Sequence, residues 1–263
     1  MIRLAVNADD FGFTRDVNDG IVEAHRNGIL TSTTLMANGD AFEHAVMLAR
    51  DTPTLDIGCH LTLIGGEALT GGVLPGGFAG LLQALAAKKL SVYEEFAAQV
   101  RKIVAVGIRP THLDTHKHTH LLPQVLKAAV KVAREFGIDW VRRPFDFDVS
   151  GRPGFLRVAA GFAMRTQWKR FEKALAGCRT TDRFVGFALT GNMQGADLER
   201  LLRRLPEGFT ELMCHPGFCR EELRAANTRL KESRQRELEA LLSPQARRAV
   251  EERQIILSGF GFS

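Results

Sequence analysis

The chain has 263 residues, of which 45% are hydrophobic and 25% charged, and carries a formal net charge of +5. This balance excludes a disordered, fibrous or low-complexity chain, and no run approaches the roughly 18 consecutive apolar residues of a membrane span. The basic residues alternate with acids, as in "REELRAANTRLKESRQRELEA", which predicts a solvated helix face and argues against nucleic acid as a partner.

From the N-terminus, "IRLAVNA" alternates apolar groups like a strand, and "RDVNDGIVEAHRNG" then spaces Val17, Ile21 and Ala24 like a helix closed by Gly28. The cycle repeats in "ILTSTTLMA" with "DAFEHAVMLARD", and in "LDIGCHLTL" with the long helical stretch "AGLLQALAAKKLSVYEEFAAQVRKIVAVG". It returns in "IRPTHLDTH" with "LPQVLKAAVKVAREFG", where Pro123 suits a first helical turn. Four further strands are expected at "DWVRRP", "DRFVGFAL", "TELMCHPG" and "RQIILSGF". About eight strands alternating with helices predict an α/β protein with a parallel sheet: a (β/α) barrel, complete or incomplete, in one domain over 1–263. A doubly wound open sheet stays open as the alternative. The glycine-rich stretch 63–80 lacks a phosphate-loop register and reads as a flexible rim. "MIRLAVNADD" reaches charge too early for a secretion signal. Cys59, Cys178, Cys214 and Cys219 contain no CxxC and read as reduced packing thiols, so the cytoplasm is the expected location.

In a barrel of this kind the C-terminal strand ends build the active site. Asp9 and Asp10 end the first strand, His60 follows "LDIG", "THLDTHKHTH" ends another strand and His215 another. His112, Asp114, His116, His118 and His120 share one parity, so any extended portion points them to one face; a helical spacing of four competes with that reading. One metal with an open position needs only two or three protein ligands. Most of the five must therefore orient a ligand or touch substrate, and Asp114 suits the first task. Adjacent acids such as Asp9 and Asp10 can divide two roles: a divalent cation neutralises one, and the other stays ionised to accept a proton from water. Helix capping or plain solvation is the competing explanation for the pair. Arg142 and Arg143 end a strand on the site side, for substrate contact or for surface salt bridging. His25 and His44 lie on helices, and Cys59 and Cys214 should face the helix layer.

"NADDFG", "HRNGILTSTTLMANG", "GCHLTL", "RPTHLDTHKHTHLLP" and "TELMCHPG" together resemble, in order and spacing, the YdjC-like family of carbohydrate deacetylases. The resemblance implies a barrel of the polysaccharide-deacetylase type, one bound divalent metal, removal of acetyl groups from N-acetylated sugars, and a homodimer. By position it assigns Asp10, His60 and His116 as metal ligands, Asp9 as catalytic base and His215 as general acid. It leaves His112, Asp114, His118, Arg142 and Arg143 to substrate contact or to ligand support. Zinc or magnesium is expected first, with manganese, cobalt and iron not excluded by ligand type. Lys117 stands where the family has a histidine, at a position expected to point away from the metal. The region 144–182 is least family-like and is expected to shape substrate choice. Its basic amphipathic part, 155–177, suits a barrel helix or a dimer face, with peripheral membrane contact and a lipid-linked amino sugar, as on glycosylated hopanoids, the less favoured reading. A metal-dependent phosphoesterase and a sugar-binding protein without turnover are the alternative functions.

Overall fold

The computed structural model describes residues 1–145, 171–175 and 177–261. Strand β1 (Ile2–Phe11) leads to α1 (Arg15–Asn27), β2 (Ser32–Leu35) to α2 (Phe42–Arg50), and β3 (Asp56–Leu61) to α3 (Phe78–Ala86) and α4 (Val92–Ala105). Then come β4 (His112–Thr115), a 3-10 segment (His116–Leu121), α5 (Pro123–Glu135), β5 (Trp140–Val141) and β6 (Arg183–Val185). A short 3-10 turn (Phe187–Leu189), α6 (Gly195–Arg204), β7 (Gly208–Cys214), α7 (Glu221–Ala225), α8 (Glu232–Leu242), α9 (Pro244–Glu252) and β8 (Ile256–Leu257) complete the chain.

Every named strand pairing is parallel, in the order β5-β4-β3-β2-β1-β7-β6. β1 pairs with three strands. β7 follows it from Ile2 to Ala8, and its other partners divide its length: β8 at Arg3 and Leu4, β2 from Asn7 onward. A strand covered on both faces is buried along its length, and β1 is buried from Leu4 to Phe11, its apolar run giving way to Asn7, Asp9 and Asp10 toward the rim. No ladder joins β5 to β6 among the described residues; there, a single bridge pairs Trp140 with Arg179, and the Arg143 guanidinium donates to the Asp182 carbonyl. The fold is thus an incomplete (β/α) barrel.

Two local expectations change. The long helical stretch after the glycine-rich loop breaks into α3 and α4, because Lys88 takes the left-handed conformation (φ 53°) and Ser91 restarts the helix. The stretch 63–80 is partly anchored: buried Glu95 on α4 accepts from the backbone N–H groups of Leu69 and Thr70 and from the Thr70 hydroxyl. Most of 155–177 lies outside the described residues. No helix among the described residues is long and apolar enough to cross a membrane.

The strand starts form the barrel floor. Phe260, Phe209, Trp140 and Ala5 pack as a small cluster there, Phe260 stacks on His112, and Asp56 accepts from the backbone N–H groups of Phe260 and Gly261 and from Thr111. The floor leaves the opposite, C-terminal rim for chemistry.

That rim is held by close backbone approach. A Cβ on Gly20, inside α1, would lie 2.5 Å from the Gly217 Cα just after β7. Gly→Ala inside a helix ordinarily stabilises by about 0.4–1 kcal/mol. Here overpacking, typically 1–3 kcal/mol, opposes it. Gly20→Ala is expected to lower stability by about 1–2 kcal/mol in urea unfolding; an unchanged or raised midpoint refutes the close-approach account.

Candidate metal centre and active site

The alternation of a regular strand would send Asp9 and Asp10 to opposite faces. The β1–β2 register shifts between Ala8 and Phe11, and Asp10 takes a positive φ of 70°. This irregularity re-aims one side chain, so both carboxylates face the same rim. Gly12 (φ 98°) completes the turn, donating its N–H to Asn18 Oδ1 at 2.6 Å.

Asp10 Oδ1 lies 3.3 Å from His60 Nε2 and 3.1 Å from His116 Nδ1, and the two nitrogens are 3.3 Å apart. The atoms come from β1, from β3 and from the residue after β4. An oxygen and two nitrogens at these separations suit a single ion bonded at about 2.0–2.2 Å to each. His60 is prepared for that role: its Nδ1 lies 2.6 Å from Asp114 Oδ1, which leaves Nε2 as the nitrogen facing Asp10. Thr34 Oγ1 donates to Asp114 Oδ2 at 3.1 Å and fixes the carboxylate in turn. Burial opposes charge on His60, but Asp114, Asp10 and Asp9 carry its pKa up to about 10. Three ligand atoms at these separations, with the His60 ring already oriented by Asp114, fit a cation.

Asp9 faces a different cation. Arg142, after β5 and 1% exposed, donates from Nη2 to Asp9 Oδ1 at 2.6 Å and from Nη1 to Oδ2 at 2.8 Å. Nη1 also lies 2.7 Å from Asp114 Oδ2, and Nε donates to Glu211 Oε1 at 2.7 Å. Burial pushes the Asp9 carboxyl up, but the Arg142 charge and hydrogen bonds outweigh it and hold Asp9 well below the usual carboxylate range. Glu211, the last to share Arg142, is pushed up to about 7 by burial, with Asp114 and Asp9 adding to the rise against Arg142. Asp9, His60 and Asp114 also cluster closely enough to suggest a second ion, but the Arg142 guanidinium already neutralises both of those carboxylates.

His215, just past β7, places Nε2 4.0 Å from Asp9 Oδ2 and Nδ1 4.0 Å from Glu237 Oε2. Its backbone N–H donates to the same Glu237 oxygen at 2.6 Å. The His215 and His116 side chains, 11% and 24% exposed, open this otherwise buried cluster to solvent.

The structure distributes the remaining candidates unevenly. Only His112 and Asp114 share the β4 face, because the strand stops at Thr115 and both Lys117 and His118 adopt left-handed backbone. His112 lies two residues deeper, hydrogen-bonded to Asn7 Oδ1 at 2.9 Å and stacked on Phe260; burial lowers its pKa to about 4. It lies at the floor, on the same face as Asp114 but deeper. His118 is buried against Phe184 and Phe187, and burial holds its pKa well below the usual value. Lys117 is exposed. Arg142 is buried and so makes no surface salt bridge; it pairs with Asp9, Asp114 and Glu211, in keeping with the supporting role expected as one of its alternatives. Arg143 turns away to Asp182.

Sequence reading missed Arg234, Glu237 and Glu211. Arg234 donates from Nη2 to Asp10 Oδ2 at 2.5 Å and is 2% exposed. It and Glu237 sit three apart on α8, inside the stretch expected to be a solvated helix face. Their spacing was the available signal, since residues three apart share one helix face. Glu211 was visible as a lone acid in the apolar run of β7.

A model of the family described as YdjC-like protein matches residues 3–252. A protein named carbohydrate deacetylase from Brevibacillus brevis is 33% identical over 268 residues, covering 98% of each chain. A crystal structure from Enterococcus faecalis V583, provisionally described as a cellobiose-phosphate cleavage protein, superposes with a TM-score of 0.77 at 27% identity, covering 98% of this chain and 97% of that one. With these matches across nearly its whole length, over a parallel barrel whose rim gathers Asp10, His60 and His116, the chain belongs to the YdjC-like family.

Proposed function

We propose that the protein hydrolyses the acetamido group of an N-acetylated amino sugar, with one divalent cation held by Asp10, His60 and His116. The observation that carries this reading is the set of three ligand atoms 3.1–3.3 Å apart beside a carboxylate kept ionised by its own arginine. The relationship to the Brevibacillus brevis deacetylase supports the choice of substrate class. One oxygen and two nitrogen ligands suit zinc best among the divalent ions. Such an ion supplies Lewis acidity, polarising the acetyl carbonyl and lowering the pKa of nearby water toward about 7.

Asp9 is the base. Arg142 fixes its orientation and keeps it deprotonated at neutral pH, ready to take the proton of the attacking water. His215 is the acid: its Nε2 reaches the same rim, 4.0 Å from Asp9 Oδ2, and Glu237 lies beside Nδ1. It delivers a proton to the departing amine, because an amide nitrogen leaves poorly as an anion. A two-metal phosphoesterase is disfavoured because Arg142 occupies the position a second ion would need.

Three outcomes test the assignment. Zinc-loaded protein incubated with N-acetylglucosamine oligomers should release equal amounts of acetate and free amine; a chelator should stop this and added zinc restore it, and absence of acetate from every acetylated sugar tried defeats the proposal. Asp9→Asn should retain zinc, measured by elemental analysis, while losing about 10²–10⁴-fold in rate; a variant near wild-type rate removes Asp9 from the chemistry. His215→Ala should slow amide hydrolysis by about 10²–10⁴-fold but leave hydrolysis of an aryl acetate, whose leaving group needs no proton, within a few-fold. Equal losses on both substrates rule out the acid role.

A further inference from the structure

Arg234 makes little sense as a folding residue. It is 2% exposed, and Asp10 is its one ion-pair partner among the described residues. Its Nε and Nη1 are buried with no hydrogen-bond partner among those residues. Buried N–H groups without acceptors cost stability, and an apolar side chain of similar volume commonly serves a core as well or better. The reason for a guanidinium here must lie in what it does to Asp10.

The geometry shows what that is. Asp10 offers two oxygens: Oδ1 is the one beside His60 and His116, and Oδ2 is taken by Arg234 Nη2. Asp10 also sits on left-handed backbone, which a non-glycine residue keeps only when its surroundings hold it there. On the same helix face as Arg234, Glu237 accepts the His215 N–H. Helix α8 thus grips Asp10 with one residue and the His215 backbone with another.

We propose that Arg234 is a positioning residue for the metal-binding carboxylate: by occupying Oδ2 it leaves Oδ1 alone to face the two histidines and so enforces a single-oxygen ligand. This rests on the metal reading given above. Removing Arg234 has two opposed effects. Relief of like-charge repulsion would tighten cation binding, and loss of alignment would weaken it. Alignment prevails, because Asp10 is held against its backbone preference, and losing such an outer partner typically costs 10–100-fold in metal affinity.

The test measures zinc affinity by chelator competition, and the visible spectrum of the cobalt(II)-loaded protein as a report on coordination. Arg234→Gln should bind zinc about 10–100-fold more weakly than wild type, with an altered cobalt spectrum. Arg234→Lys, which keeps the charge but not the planar donor, should fall between them and decides the matter alone should the glutamine variant not fold. Binding within twofold of wild type, or tighter, with an unchanged cobalt spectrum overturns the role of Arg234 while leaving the metal reading intact. A wild-type protein that takes up neither ion overturns both.

Discussion

The site depends on one break in strand alternation. Two consecutive carboxylates on a regular strand cannot face the same side. At Asp9 and Asp10 the register slips, Asp10 adopts a left-handed backbone, and the pair is brought to one rim. Two negative charges so close would repel and push one pKa up. Each has its own guanidinium instead: Arg142 for Asp9 and Arg234 for Asp10. The repulsion that the sequence raises as a puzzle is removed by arginines 133 and 224 residues away in the chain, and both acids lie well below the ordinary carboxylate range, because their arginines, with His116 and His60 at Asp10, outweigh the rise that burial imposes.

The strand ends were legible in sequence because a parallel barrel imposes a rule on them. Short apolar runs followed by Asp9 and Asp10, His60, the histidine cluster and His215 mark where each strand stops, and the strands stop on the same rim. His112 and Asp114 share a face, as their equal parity implies, and the residues after them do not follow it, since the backbone of Lys117 and His118 takes a conformation that carries no periodic signature. Even there, equal parity meant equal face and not equal depth: His112 stacks on Phe260 in the floor.

The missed residues share a physical cause. Arg234, Glu211 and Glu237 are charged, and charge in sequence reads as solvation; Arg142 was visible only because it ends a strand on the site side, and its buried partners were not. The exception is a buried charge with a buried partner, which is a property of two distant positions at once. Arg142 meets Asp9 and Asp114 from β5, while Arg234 and Glu237 come from α8, where the surrounding "KESRQRELEA" looks like any wet helix. A reader with one sequence can find residues that act through their own chemistry. Residues that act by aiming another need the fold.

The charges gathered at this rim are of a kind that a cation can offset. Asp9, Asp10, Asp114, Glu211 and Glu237 gather in one buried cluster with two guanidinium groups, those of Arg142 and Arg234. The excess of negative charge has few ways to resolve in a medium of low dielectric. Protons are one way: His60 is carried up to about 10 by Asp114, Asp10 and Asp9 against burial, and Glu211 is pushed up to about 7 chiefly by burial. A divalent cation is the other, and it takes the lone pair on His60 that the proton would otherwise hold. Arg142 and Arg234 thus do more than balance charge: Arg142 occupies Asp9 and Asp114, while Arg234 takes one oxygen of Asp10 and leaves Oδ1 open beside His60 Nε2 and His116 Nδ1.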